Sequence, residues 1–123
     1  MKTSRKRFIP ALAALLGVAM IGGGAMKLGG QSAQVAAFAA MGLPAWFRVL
    51  VGTFEVLGGL LVIVPATTPA GSLIVSTILV GALWAHAALG EWSHAIPVVV
   101  LLMLFLTIFG LNRARAVALL GGA

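Results

Sequence analysis

Long runs of apolar residues alternate along the chain with short segments rich in polar and turn-forming residues. A helix that crosses a lipid bilayer needs roughly 20 mainly apolar residues. Four runs meet or approach this length, and we predict a spanning helix for each: residues 8–26, 45–64, 70–89 and 95–111. The pattern therefore predicts an all-α fold, an integral membrane four-helix bundle in which residues 1–123 form a single transmembrane domain.

The segments between the runs predict how the spans are connected. The joint from Pro65 to Pro69 is at most six residues long, so the second and third spans are expected to form an antiparallel hairpin. The joint between the first two spans is longer, and its residues 32–41 carry apolar side chains at mostly helical spacing. This segment predicts a short interfacial or re-entrant helix, with an Ala-rich loop as the alternative. Pro97 falls in the first turn of the fourth predicted span, where its missing N–H costs little.

Composition narrows the class of protein. The chain is 62% hydrophobic, and only 8% of its residues are charged. Disordered chains have low hydrophobicity, whereas soluble domains and nucleic-acid binders need more polar surface than this composition supplies. The lipid bilayer is therefore a predicted partner and nucleic acid is not. Cysteine is absent, which excludes disulfides, iron–sulfur clusters and thiol chemistry by this chain.

The distribution of basic residues predicts the orientation. Six of the eight lie near the chain ends: Lys2, Arg5, Lys6, Arg7, Arg113 and Arg115. Basic residues beside spans favour the cytoplasm, so both termini are predicted to be cytoplasmic, which an even number of spans allows. A nucleic-acid tail is the less favoured interpretation of the N-terminal run. The first apolar run of 19 residues is longer than a signal-peptide core, so we expect an uncleaved span.

Under this topology the other ionisable residues collect on the outer side of the membrane. A lone ionised carboxylate inside a span costs at least ~2–3 kcal/mol, so Glu55 must pair, face water or stay protonated. The glycines on and beside its face of the second span are predicted helix-packing positions: Gly52, Gly58 and Gly59. We predict a candidate ligand-binding pocket, open to the outer side, formed by Lys27, Arg48, Glu55 and His86.

Two interpretations of this pocket remain open. In the first, it binds a small anion, a quinone head group or a proton in transit. In the second, Glu55 forms an internal ion pair or hydrogen bond that fixes the helix register. One carboxylate and one histidine do not predict a metal site, and His86 and His94 are not expected to face each other as haem ligands. No cofactor motif is evident in the sequence.

Four segments carry a further pattern: Met26-Lys27-Leu28, Gly42-Leu43-Pro44, VGTFEVLGGLL at 51–61 and GALWAH at 81–86. This pattern resembles the DoxX family of small bacterial four-span membrane proteins over about residues 8–110. The family takes its name from a subunit of an archaeal thiosulfate:quinone oxidoreductase, and some members work within membrane redox complexes. The resemblance implies a bacterial inner-membrane location and pocket residues at Lys27, Glu55 and His86. Because the chain has no cysteine, any electron carrier must be bound or belong to a partner.

Three functions are consistent with these features. The first is a subunit or accessory of a membrane redox system that binds a quinone or a small sulfur species at the pocket. The second is a non-enzymatic membrane scaffold or assembly protein. The third, ranked lower, is a small transporter, for which four spans need oligomerisation to enclose a path. An accessory role fits better than a stand-alone enzyme, and the expected protein partners are a membrane redox protein or further copies of the chain.

Overall fold

The computed structural model describes the backbone of residues 2–120 and the side chains of residues 8–112. Within those residues the chain is all-α, and its helices are α1 (Lys2–Leu28), α2 (Ser32–Ala40), α3 (Ala45–Ile63), a 3-10 turn (Pro65–Thr67), α4 (Thr68–Ala88) and α5 (Trp92–Leu120). Four of these helices contain segments long and apolar enough to cross a membrane: Phe8–Leu28, Ala45–Ile63, Pro65–Ala88 and Trp92–Asn112. The predicted all-α, four-span class is confirmed, as is the short helix between the first two spans. The basic side chains at the termini, on which the predicted orientation depends, lie outside the described side chains.

The fourth long helix begins earlier than the hydropathy pattern predicts. The carbonyl oxygen of Glu91 accepts hydrogen bonds from the N–H groups of His94 and Ala95, both at 3.1 Å, and α5 therefore starts at Trp92. Pro97 consequently lies in the second turn of α5 and not in the first. Hydropathy misses this start because the first residues of the helix are polar or interfacial.

Successive long helices run antiparallel. Gly24 near the end of α1 lies against Gly52 near the start of α3, whereas the earlier Gly17 lies against the later Gly59. At one end of the bundle, Ile9, Pro65 and Asn112 line a common small cavity. The opposite end is formed by residues 27–48 and 86–94, and we call it the polar end because it holds most of the described charged side chains.

Glycine sets how closely the first two spans approach. A Cβ atom added at Gly24 would lie 2.6 Å from the carbonyl oxygen of Gly52, and one added at Gly59 would lie 2.6 Å from that of Gly17. Such distances exclude any side chain, so the two backbones are in direct contact, as is typical of helix pairs in membranes. On the other side of α3, Gly58 faces α4, because a Cβ atom at Gly71 would lie 2.7 Å from its carbonyl oxygen.

A single apolar core joins the four spans. Its members are Ala13, Leu16 and Met20 of α1, Val62 of α3, Val75 and Leu79 of α4, and Phe105 and Ile108 of α5. Large apolar side chains also cover the outer surface, where a membrane protein contacts lipid tails. Three exposed tryptophans lie towards the polar end: Trp46, Trp84 and Trp92. Tryptophan concentrates at the boundary between lipid and water, so their positions are consistent with a membrane interface near this end.

The turn between α3 and α4 is stabilised by threonine hydroxyls. The buried Thr68 hydroxyl donates to the carbonyl oxygen of Val62 at 2.8 Å and lies 3.0 Å from that of Val64. The last carbonyls of a helix have no partner within the helix, so this hydroxyl satisfies acceptors that α3 leaves free.

Replacing Thr68 by Val is expected to destabilise the folded protein by about 1–2 kcal/mol, because a buried carbonyl loses its donor while the side-chain volume stays similar. The measurement is the free energy of unfolding in mixed detergent micelles. Thr77→Val is the matched control, since the exposed Thr77 hydroxyl bonds only to Leu73 within its own helix. Equal losses in the two variants would show that the turn does not depend on this hydroxyl.

Candidate functional site

The centre of the site is an ion pair between two membrane spans. The Nζ atom of Lys27 lies 2.9 Å from Oε1 of Glu55, and the two side chains are only 15% and 6% exposed. Lys27 occupies the last turn of α1, whereas Glu55 lies near the middle of α3. A charge-assisted contact of this length, shielded from water, is one of the stronger polar interactions that a protein makes.

The antiparallel arrangement brings these two side chains together. In a helix every Cα–Cβ bond tilts towards the N-terminus. Lys27 on α1 therefore points into the membrane, while Glu55 on α3 points back towards the polar end. The close helix contact shortens the gap further, because a Cβ atom at Gly52 would lie 2.9 Å from the Cβ atom of Lys27. The pair therefore depends on glycine at Gly52 as well as on its own two residues.

Arg48 lies beside the ion pair, on the side of the polar end. Its guanidinium group donates a hydrogen bond to the backbone carbonyl oxygen of Lys27. That carbonyl lies at the C-terminal end of α1, where it also accepts a 3.4 Å hydrogen bond from the N–H of Gly30 and where the helix dipole favours a cation. Among the described side chains Arg48 makes no ion pair with Glu55. The guanidinium therefore fixes the end of α1 and adds a positive charge beside the Lys27–Glu55 pair.

The second carboxylate oxygen of Glu55 is available to a further donor. A Cβ atom at Gly23 would lie only 3.1 Å from Oε2 of Glu55, so this oxygen faces a position without a side chain. The ion pair joins Lys27 to Oε1, and Oε2 is not among the fully enclosed polar atoms that lack a hydrogen-bond partner in the described part of the chain. Gly23 could not be identified from the sequence, because any glycine in the run Gly22-Gly23-Gly24 could equally be a helix-packing position.

His86 lies in a different group of side chains. Its Nδ1 atom is 3.1 Å from Oε1 of Glu91, and its ring centroid is 5.6 Å from that of His94. Among the described side chains it makes no hydrogen bond or ion pair with Lys27, Arg48 or Glu55. The short turn from α4 to α5 brings the two rings together edge to face, outside the core of the bundle.

The hydrogen-bonding groups of Lys27, Arg48 and Glu55 suit a ligand that both accepts and donates hydrogen bonds. Lys27, Arg48 and Glu55 carry two positive charges and one negative charge, so this group is unsuited to a metal cation. The ammonium and guanidinium groups are donors, and Oε2 of Glu55 is an acceptor. The side chains of Lys27 and Glu55 are largely buried between α1 and α3. The small cavity lined by Ile9 and Pro65 lies at the opposite end of the bundle and has room for about one water molecule.

The short helix α2 covers part of the polar end. Its buried Phe38 packs against Phe47 of α3, with ring centroids 6.3 Å apart. The helix starts where the side chain of Gln31 accepts a hydrogen bond from the N–H of Gln34. This aromatic contact holds α2 beside the first turn of α3, which carries Arg48.

Comparison with known proteins places the chain in a family. No curated protein and no solved structure matches it. A family model does match, that of the DoxX-like family, and the match covers residues 11–108. The matched region spans most of the chain. It includes the ion-pair site, which consists of Lys27, Arg48 and Glu55, and it also includes His86. The protein, a multi-pass membrane protein with four spans, belongs to the DoxX-like family.

Proposed function

We propose that this protein is an accessory subunit of a membrane redox system and that Lys27, Arg48 and Glu55 bind the head group of a quinone. The observation that carries the proposal is an ion pair between two membrane spans, whose second carboxylate oxygen lies beside Gly23, a position without a side chain. Intramembrane ionisable residues are expensive and most often mark a functional site.

The hydrogen-bonding groups of the site fit a quinone in both of its redox states. A quinone carbonyl accepts hydrogen bonds, which Lys27 or Arg48 can donate. A quinol hydroxyl donates one, which Oε2 of Glu55 can accept. The chain has no cysteine, and in this proposal it binds and orients the carrier while a partner protein supplies or removes electrons.

The cellular setting forms part of the proposal. Membership of the DoxX-like family supports a link to membrane redox chemistry, because the family name derives from a subunit of a quinone-reducing complex. The basic residues at both chain ends support an inner-membrane location with cytoplasmic termini. The polar end then faces the outer side of the membrane.

Glu55→Gln is expected to weaken quinone binding at least about tenfold, since an amide oxygen is a poorer acceptor than a carboxylate. The assay reconstitutes the protein in lipid nanodiscs and titrates a short-chain ubiquinone analogue while tryptophan fluorescence is recorded. Thr53→Val is the matched control, because Thr53 lies on α3 with its hydroxyl bonded to Val49 of the same helix. Saturable binding of equal strength in both variants would contradict the proposal.

A membrane scaffold is the second candidate function, and the closed geometry of the ion pair favours it. With Nζ and Oε1 at 2.9 Å and Glu55 buried, the pair also serves to lock α1 against α3. A scaffold should retain a stoichiometric partner when extracted gently from native membranes. It should keep that partner in the uncharged double variant Lys27→Met/Glu55→Met, which a quinone-dependent complex should lose.

A further inference from the structure

A second polar group lies at the turn between α4 and α5, apart from the ion-pair site. It consists of His86, Glu91 and His94. Oε1 of Glu91 lies 3.1 Å from Nδ1 of His86, and Oε2 lies 3.8 Å from Nδ1 of His94. One ligand atom from each of the three residues lies within 4.8 Å of the other two. Two imidazoles therefore converge on one carboxylate.

The backbone of the turn builds this arrangement. His86 occupies the last turn of α4, and Gly90 adopts φ +73°, which permits the chain to reverse within a few residues. The N–H of Glu91 then donates to the carbonyl oxygen of His86 at 2.8 Å, which fixes the carboxylate beside the first imidazole. His94 lies in the first turn of α5, on the side that faces back towards Glu91.

We propose that His86, Glu91 and His94 form a binding site for a divalent transition-metal ion of the Zn²⁺ class, with at least one coordination position left for water or another ligand. Two imidazole nitrogens and one carboxylate oxygen are a donor set that proteins use for zinc with an open position. Thiolate-requiring sites are excluded, because the chain has no cysteine.

The distances require only a small contraction. Zinc–nitrogen bonds of about 2.0–2.1 Å in a tetrahedral site place neighbouring donor atoms about 3.3 Å apart. The separations between the three ligand atoms are at most 4.8 Å, so closing them takes a movement of at most about 1.5 Å. Rotation of side chains supplies this movement, because His94 and Glu91 are 66% and 41% exposed and therefore have room to move.

The charge of the group also suits a divalent cation. Two neutral imidazoles and one carboxylate give a net charge of −1, so a divalent ion leaves a single positive charge at a partly exposed turn where water solvates it. The ion would link the end of α4 to the start of α5, so that binding adds to the stability of this hairpin. Sequence reasoning excluded a metal because it paired one carboxylate with one histidine and left Glu91 and His94 as separate loop residues.

The composition of the chain limits the number of alternative zinc ligands in a binding experiment. Its only two histidines are both in the group, and it has no cysteine, so an untagged protein offers no other imidazole or thiolate. The experiment strips metal with a chelator, then titrates Zn²⁺ into the detergent-solubilised full chain by calorimetry. One equivalent is expected to bind. His86→Ala and His94→Ala should each weaken binding at least about tenfold, whereas Ser93→Ala, an exposed neighbour in the same turn, should not.

A second measurement uses the wild-type chain alone and does not depend on how the variants fold. With ¹⁵N-labelled histidine, both imidazoles should show shifted signals after one equivalent of Zn²⁺, and Co²⁺ should give the visible absorption of a nitrogen- and oxygen-ligated site. The proposal is overturned if neither histidine signal responds to Zn²⁺. It is equally overturned if zinc binds with unchanged affinity to the double variant His86→Ala/His94→Ala, since the ion then lies elsewhere.

Discussion

Lys27→Met is expected to reduce the free energy of unfolding by about 3–5 kcal/mol, one of the two largest effects of any single substitution proposed for this chain. The methionine fills a similar volume, but it leaves Glu55 only 6% exposed and without its countercharge. A buried carboxylate deprived of its partner carries an uncompensated desolvation cost. The measurement is reversible unfolding in mixed detergent micelles, followed by the loss of helical circular dichroism.

A double variant distinguishes the contribution of the ion pair to stability from the cost of leaving one buried charge without its partner. Lys27→Met/Glu55→Met removes both ions, and most of the lost stability should return, because apolar replacements of buried ion pairs are often close to neutral. Lys27→Arg is the control that keeps the positive charge. If the double variant loses as much free energy of unfolding as Lys27→Met and Glu55→Met lose together, the unpaired charge is not what destabilises Lys27→Met.

Gly24→Val is expected to reduce the free energy of unfolding by about 3 kcal/mol or more, because the added side chain meets the backbone of α3 as well as the side chain of Val56. A Cβ atom at this position would lie 2.6 Å from the carbonyl oxygen of Gly52 and 2.9 Å from the backbone nitrogen of Val56. Relief requires α1 and α3 to separate, and separation also pulls Lys27 away from Glu55. The same unfolding titration measures the effect.

Gly22→Val is the matched control for this substitution. The two glycines lie two residues apart on α1, yet a Cβ atom at Gly22 has nothing within 4 Å outside its local backbone. Both variants change the helix propensity equally, so only the contact with α3 distinguishes them. Gly22→Val should be within about 0.5 kcal/mol of the wild type, as is usual for surface positions. Comparable losses in both would mean that the glycine contact does not hold the helices together.

The spans and the short helix could be predicted from the sequence because each rests on a local signal. A run of about 20 apolar residues is sufficient to identify a spanning helix, whatever its neighbours are. The sequence places Glu55 in a pocket with Lys27, Arg48 and His86 but does not identify its partner, because hydropathy gives the depth of a residue and not its rotation about the helix axis. The antiparallel tilt of the two side chains and the contact at Gly52 select Lys27.

The group at the α4–α5 turn could not be recognised in the same way. Its convergence depends on the reversal at Gly90 and on α5 beginning at Trp92, three residues before the predicted start. Because α5 starts earlier than predicted, His94 lies in its first turn and not in a loop, and this position makes it a neighbour of Glu91. Likewise, the role of Gly23 is visible only once Oε2 of Glu55 lies beside it.

The most direct test of the proposed function is native mass spectrometry of the protein extracted from its own membranes with lipophilic ligands retained. The wild-type chain and Thr53→Val are each expected to carry a quinone, whereas Glu55→Gln is expected to carry none. A wild-type chain without quinone, or a Glu55→Gln chain that retains as much quinone as the wild type, would contradict the proposed function.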